Sequence, residues 1–468
     1  MAIVQSELVP DAWGNYIRTD KLLPNYECRK PMIALLSKKS LLLTLMLFLL
    51  TLSSAAVAMD DWPFWRGPNR NDQSAETGLL KTWPEGGPNQ LWVNKNSGLG
   101  YAGFSIVGDQ LFTLGMEDNR EFAICLNANT GKEVWRTAMK PLPQGGPKEG
   151  GFLTQWGDGP RSTPTVDGDR IYVLGAGGHL ACLGKSDGKQ VWSAELLDFG
   201  GKIPTWGYSE SPLVDQNKVI CTPGGSLGTI LALDKNTGKK VWQSVPITST
   251  REDGSETTPS SKNYSSILPV DWNNQLQYVQ LTEHAVVSLH PETGEVIWKS
   301  KWGGRTAIIP SPIFQDGQVY VSSGYGVGST QLELGNGNAV SEQWYSKDMQ
   351  NHHGGVIRVG DYYFGSSGLV FVCQNAADGK KMWAERDLKK GSLGYADGMF
   401  YLVQEKDGKV VLFSANQDEY EIKGSFVIGP QTKRRAGQGM VWTHPVVSNG
   451  KLYVRDQEMI YCYDIKAK

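Results

Sequence analysis

Between Arg161 and Leu196 the chain reads RSTPTV, DGD, RIYVLG, AGG, HLACLG, KSDG, KQVWSAEL. Short apolar runs rich in β-branched and aromatic residues alternate with breaks built from Gly and Asp, the pattern of strands joined by tight turns. Four such runs in succession predict a four-stranded antiparallel meander. Pro164, Pro212, Pro312 and Pro445 each stand where the first run of a unit begins, the position at which a missing N–H costs a sheet least.

The unit recurs along the chain. Residues 231 to 242, LALDKNTGKKVW, have near-copies in ICLNANTGKEVW, ACLGKSDGKQVW, VSLHPETGEVIW and VCQNAADGKKMW. The phrase-ending residues are Trp92, Trp135, Trp192, Trp242, Trp298, Trp344 and Trp383, between 39 and 57 residues apart, a spacing that suits four short strands with their turns. Eight first strands can be counted, from FSIVGDQLFTL to HPVVSNGKLYVR. The eighth unit stops at YCYDIKAK without a fourth strand, while NQLWVN, which holds Trp92, is a strand without a unit. The prediction is an all-β fold: an eight-bladed β-propeller of four-stranded antiparallel blades, its ring closed by the N-terminal strand, which removes exposed edges. An open solenoid is the alternative; it requires capping units, and no segment of that character is visible.

Composition fits this reading, with 55 Gly, 23 Pro and 16 Trp in 468 residues. The formal charge of -2 speaks against a partner held by electrostatics such as nucleic acid. The basic run Lys433, Arg434, Arg435 reads as a solvated loop. At the N-terminus Lys38 and Lys39 precede SLLLTLMLFLLTL and then SSAAVA, a positive flank, an apolar core and a small-residue cleavage site. This predicts a secretory signal; a membrane anchor is the alternative, but Leu41 to Leu52 is shorter than the roughly 20 apolar residues that span a bilayer. Met32 is a second candidate initiator beside Met1. The expected organisation is residues 1–58 as signal peptide with a prefix, 59–88 as a Pro/Gly-rich segment and 89–468 as the propeller. The mature protein is expected to be exported, periplasmic or extracellular, monomeric, and without a membrane span. Cys125, Cys182, Cys373 and Cys462 occupy the slot held by Ala232 and Ser288 in other units, so they read as small packing residues rather than disulfide partners. No CxxC, adjacent Cys pair or CxxCH is present.

These units resemble the pyrroloquinoline-quinone (PQQ) type β-propeller repeat in their S-P, D-G, V-Y-V, A-L-D, T-G and W elements, across roughly residues 89 to 468. The resemblance implies eight blades with the recurring Trp docked between them. It extends to exported bacterial propellers similar to the BamB outer-membrane assembly factor or to polyvinyl-alcohol dehydrogenase. The segment WPFWRGPNR, residues 62 to 70, is similar to the N-terminal segment of planctomycete-type members.

The two faces of such a ring differ in this chain. Turns between first and second and between third and fourth strands are minimal, as in VDGD and NTGK, whereas the opposite face carries PQGGPKEGGFLTQWGDGPR, DFGGKIPTWGYSE, TSTREDGSETTPSSKNYS and GYGVGSTQLELGNG. Unlike loops on a rigid scaffold are where a binding surface is expected. Just before successive first strands stand Trp156 and Arg161, Trp206 and Glu210, Lys262 and Tyr264, Arg305, His352 and His353, and Trp442 and His444, candidates for an aromatic and charged funnel. The competing reading has the tryptophans packing blade edges and Arg161 pairing with Glu210 or backbone. His352 and His353 are adjacent and would face opposite ways on a strand, so no metal site is predicted. No GxSxG, HExxH or Ser/His/Asp arrangement is evident.

Two functions remain. The favoured one is a non-catalytic scaffold that binds an envelope protein, a peptide or a polymer. The alternative, implied by the resemblance, is a PQQ- and calcium-dependent alcohol dehydrogenase, with Glu210 as the candidate catalytic base and Arg161 or Arg305 polarising the quinone. The adjacent-Cys disulfide and haem domain of many such enzymes are absent.

Overall fold

A computed structural model describes residues 4–10, 16–22, 61–142, 155–306 and 308–468. The chain divides into two units, Met1–Ala58 and Met59–Lys468. In the first, Val4–Pro10 pairs antiparallel with Tyr16–Leu22; the predicted signal run lies outside the described residues. No helix among the described residues is long and apolar enough to cross a membrane.

The second unit is a ring of eight antiparallel sheets. Blade 2 shows the pattern: Thr165–Asp167, Arg170–Leu174, His179–Gly184 and Gln190–Glu195 run from the inner to the outer edge in chain order. The eighth blade takes Val446–Ser448, Lys451–Asp456 and Met459–Asp464 from the C-terminus and Asn89–Asn94 as its outer strand, with Cys462 opposite Trp92. The ring therefore closes through the orphan strand that the sequence offered. The core is divided among the seams between blades rather than held in one centre. The seam between blades 8 and 1 packs Tyr453 and Val446 against Phe104 and Leu111, and that between blades 2 and 3 packs Tyr172 and Leu180 against Val219 and Leu231. Arg455 pins the closing seam: its fully buried guanidinium donates to the carbonyls of Ala102, Leu114, Gly98 and Gln457 and to Thr113 Oγ1.

The repeated phrase is legible in this geometry. The third strand places its small slot residue directly across from the Trp of the fourth: Cys125 faces Trp135, Cys182 faces Trp192, Ala232 faces Trp242, Ser288 faces Trp298 and Cys373 faces Trp383. A β-bulge follows at each of these positions and turns the outer strand. Blade 5 instead sets the larger Gln331 across from Trp344, and blade 7 sets Leu412 across from Gly424. The described cysteines are all buried, unpaired thiols. Each indole then reaches the next blade: Trp92 Nε1 donates to Ala128 O at 3.1 Å, Trp135 to Lys185 O at 3.0 Å, Trp192 to Lys235 O at 2.8 Å, Trp242 to Pro291 O at 2.9 Å, Trp344 to Ala376 O at 2.8 Å and Trp383 to Asn416 O at 3.0 Å. Trp298 departs from the pattern and donates to Gln277 Oε1 of its own blade at 2.7 Å. The following blade replaces the tight TG turn with a short helical turn, Asn336–Asn338, so the usual carbonyl is displaced.

The N-terminal segment has a role that periodicity did not reveal. From Trp62 onward it lies across the inner strands of the ring. Trp62 pairs with Ile106 of blade 1, and Pro63 O accepts from Val166 N of blade 2. Trp65 Nε1 donates to Ser311 Oγ at 3.1 Å, and Arg66 Nη2 donates to Val356 O at 2.6 Å. Gln73–Ser74 adds in parallel to the inner strand of blade 7, so that sheet has five strands instead of four. An inner strand has a free ladder edge facing the axis, and this segment satisfies it. The axial channel is thereby plugged by its own chain.

Candidate ligand-binding cavity

Above the plug, the links that lead into the inner strands converge on a cavity of about 360 Å³. Trp65 and Arg66 form its floor. Its wall includes Trp156, Arg161, Trp206, Tyr264, His352 and Trp442, each delivered by a different link or by a different end of one. These residues come together because each inner strand begins beside the axis, so whatever precedes it is delivered to the mouth.

The wall on the side of blades 6 to 8 is a polar network. Glu405 Oε2 accepts from Trp442 Nε1 at 2.9 Å and lies 3.2 Å from Lys390 Nζ. Lys390 Nζ also lies 3.2 Å from His352 Nδ1, and the His352 ring stacks on Tyr325 at 4.5 Å. Burial and the Lys390 charge push His352 down to about 4, and burial with the same lysine and the neighbouring His352 holds His353 well below its ordinary value. Both imidazoles are therefore neutral at pH 7. Beneath them His444 packs on Trp65 at 4.6 Å between ring centres, bonds through Nε2 to His353 O at 2.6 Å and lies 3.4 Å from Asp72 Oδ2. Burial works against the Asp72 charge, but Arg66, donating at 2.6 Å, and His444 hold its carboxyl below the usual range. The plug is thus latched by a buried Arg66–Asp72–His444 chain.

The opposite wall is aromatic and cationic. Arg161 donates to Gly159 O at 3.0 Å and Gly157 O at 2.8 Å, and its guanidinium lies over the Tyr101 ring at 5.5 Å. Tyr101 in turn donates to Trp156 O at 2.6 Å, so the glycine-rich turn before blade 2 is shaped around this pair.

A sequence model described as outer membrane protein assembly factor BamB matches residues 120–385, more than half of the chain. The chain belongs to this family. Among solved structures, BamB from Moraxella catarrhalis is similar with a TM-score of 0.55 at 17% identity, over 81% of this chain and 98% of that one. Quinohemoprotein alcohol dehydrogenase from Comamonas testosteroni is similar with a TM-score of 0.57 at 12% identity, over 89% of this chain and 82% of that one. These likenesses are ones of fold. Among curated proteins, the quinoprotein ethanol dehydrogenase of Pseudomonas aeruginosa is 24% identical over 332 residues, 65% of this chain and 47% of that protein. The chain spans about half the length of the curated relative.

Of the residues singled out from sequence, Trp156, Arg161, Trp206, Tyr264, His352 and Trp442 line the cavity of this BamB-family propeller, as do His353 and His444. Arg305 is exposed and does not line it, although Thr306 beside it does. Glu210 lies behind the wall, 1% exposed, where both its oxygens accept from Thr222, one from the backbone N–H and one from Oγ1 at 2.7 Å. Burial pushes its carboxyl up to about 8. Trp65, Arg66, Tyr325, Lys390 and Glu405 were not foreseen. Lys390 was legible by position, since it immediately precedes the seventh inner strand, Gly391–Ala396; the plug residues carried no repeat signal at all.

The donor set does not fit a calcium-bound quinone with a carboxylate base. Among the described residues Glu405 is the one carboxylate lining the cavity, and Lys390 and Trp442 engage it. Among the described residues, no three His, Cys, Asp or Glu side chains cluster as metal ligands. Ca²⁺ takes 6–8 oxygen ligands, commonly several of them carboxylates, and Glu210 is turned away as a structural carboxyl.

Proposed function

We propose that this BamB-family chain is an exported, non-catalytic β-propeller that holds a protein, peptide or polymer segment in its axial cavity, in the periplasm or outside the cell, as a monomer. The observation that carries this reading is the combination of a floor made by Trp65 and Arg66 with aromatic walls and, among the described residues, a single lining carboxylate that Lys390 and Trp442 already engage. Such a cavity can bind by shape and stacking, and no unengaged carboxylate among the described residues lines it to serve as a base. Export rests on the Lys38–Ala58 pattern. Titration of the protein with PQQ and Ca²⁺, followed by melting temperature and dye-linked alcohol oxidation, tests the reading. Neither stabilisation nor turnover is expected, and turnover would overturn it.

The alternative is a quinoprotein alcohol dehydrogenase. It is supported by the quinoprotein ethanol dehydrogenase relative at 24% identity.

A further inference from the structure

Beneath the cavity floor lies a second and much smaller pocket of about 10 Å³. Trp62, Arg66 and Asp72 reach it from the plug, Phe104 from the link into blade 1, Thr163 from the link into blade 2 and His444 from the link into blade 8. The volume is about that of one water probe, so an occupant touches every wall at once.

Two polar atoms on these walls, Thr163 Oγ1 and His444 Nδ1, are buried without a hydrogen-bond partner, in residues 1% and 5% exposed. Buried polar atoms are seldom left so, because each costs its full desolvation. Thr163 Oγ1 lies against Gly103, which also lines the pocket; a Cβ there would collide with the hydroxyl. The other His444 nitrogen is committed: Nε2 lies 2.6 Å from His353 O, and a carbonyl only accepts, so Nε2 carries a hydrogen. Nδ1 faces Asp72 Oδ2 across 3.4 Å, longer than the roughly 2.7–2.9 Å of a direct charge-assisted bond.

The walls restrict the occupant. Arg66 opposes a cation and Asp72 opposes an anion, while an apolar occupant leaves Thr163 and His444 unpaired. What fits is a small neutral molecule that both donates and accepts. We propose that one water molecule is an integral part of the plug, hydrogen-bonded to Thr163 Oγ1, His444 Nδ1 and Asp72 Oδ2. Three bonds are the usual number for a buried water. They close for either form of the ring. With Nδ1 bare, the water donates to Nδ1 and Asp72 and accepts from the Thr163 hydroxyl; with Nδ1 protonated, it accepts there and donates to Asp72 and Thr163. The water braces the cavity floor, because His444 packs directly on Trp65 at 4.6 Å between ring centres. It ties the plug to the links of blades 2 and 8, whatever the cavity above it binds.

A crystal structure of the full chain, at a resolution that shows ordered solvent, tests this. One peak is expected within about 2.7–3.2 Å of all three atoms. Thr163→Ser keeps the hydroxyl and is expected to keep the peak, whereas Thr163→Val removes the hydroxyl at nearly constant volume and is expected to lose it. In solution, the Tyr395 N–H donates to Asp72 O at 2.9 Å, and its hydrogen exchange is expected to be at least tenfold faster in Thr163→Val than in the parent or Thr163→Ser. No peak in the parent overturns the proposal, as does a direct His444–Asp72 bond in its place. Anomalous signal at the peak after a rubidium or bromide soak assigns an ion and overturns it too. A peak and an exchange rate unchanged in Thr163→Val overturn the three-bonded site. The parent structure decides the question even where Thr163→Val does not fold.

Discussion

Trp192 lies flat on Gly238 of the following blade: a Cβ at position 238 would sit 2.7 Å from the indole, whose Nε1 donates to Lys235 O at 2.8 Å. The glycine is required twice, once for its φ of +70° and once for this contact. Gly131, Gly188, Gly294 and Gly379 meet Trp92, Trp135, Trp242 and Trp344 in the same way.

The double requirement predicts a graded cost. Gly168 also has positive φ, +58°, but nothing stands within 4 Å of its added Cβ. Gly168→Ala should cost about 1 kcal/mol from backbone strain alone. Gly238→Ala should cost about 1–3 kcal/mol more, because the seam is overpacked as well. Urea midpoints of the two variants check the difference.

Asp72 is the counter-ion of a buried arginine. Asp72→Asn leaves Arg66 buried without a charge partner and is predicted to cost about 3–5 kcal/mol, as breaking a buried pair does. Trp65→Ala should cost less in stability while deepening the cavity floor. Melting temperatures compare the two, and a crystal structure of Trp65→Ala would show the deeper floor.

Arg455 closes the ring with donors to five different residues. Arg455→Met matches the volume approximately but strands buried carbonyls on both sides of the seam, each worth about 1–3 kcal/mol when unpaired. The prediction is a large loss of stability with hydrogen exchange rising first in Asn89–Asn94 and Met459–Asp464, the paired strands of that blade. Uniform exchange across all blades would contradict it.

Glu121 and Glu210 are buried carboxyls pushed up to about 7 and about 8 by desolvation. Because their folded values lie above their unfolded ones, the folded state holds protons that the unfolded state has released. Stability from this source is full below about pH 4, the unfolded range, and is lost as pH rises through 7 to 8. Glu210→Gln keeps an acceptor for Thr222 N–H and removes the titration, so its urea midpoint should fall less between pH 6 and pH 9 than that of the parent. An unchanged slope would refute the assignment.

Lys390 is a principal source, after burial, of the low value of His352. Lys390→Met is predicted to move the His352 titration up from about 4 towards its ordinary range, read by NMR of the imidazole protons.

How much of this was written in the chain differs from element to element. The slot and Trp positions repeat along the sequence because most blades share one arrangement, a small residue facing an indole across a ladder, so Cys182 and Ala232 could be aligned without coordinates. The inward delivery of Trp156, Arg161 and Trp442 followed from the same register, since the links before the inner strands run beside the axis, although Arg305 in such a link is exposed and lies outside the lining. Glu210 sits by the same rule at the right place in the chain, yet its side chain turns back to Thr222, and rotamer choice leaves no trace in periodicity.

The sequence by itself determined the blade, the number of blades and the strand that closes the ring, because these depend on local alternation, turn chemistry and repetition. Only the tertiary structure decided that the channel is blind. Residues 61–83 form few regular elements of their own, and their partners, among them Ile106, Ser311, Val356 and Tyr395, are spread over blades that lie from tens to hundreds of residues away. Such contacts are set by the free inner edges of a completed ring, a condition that does not exist until the ring has formed.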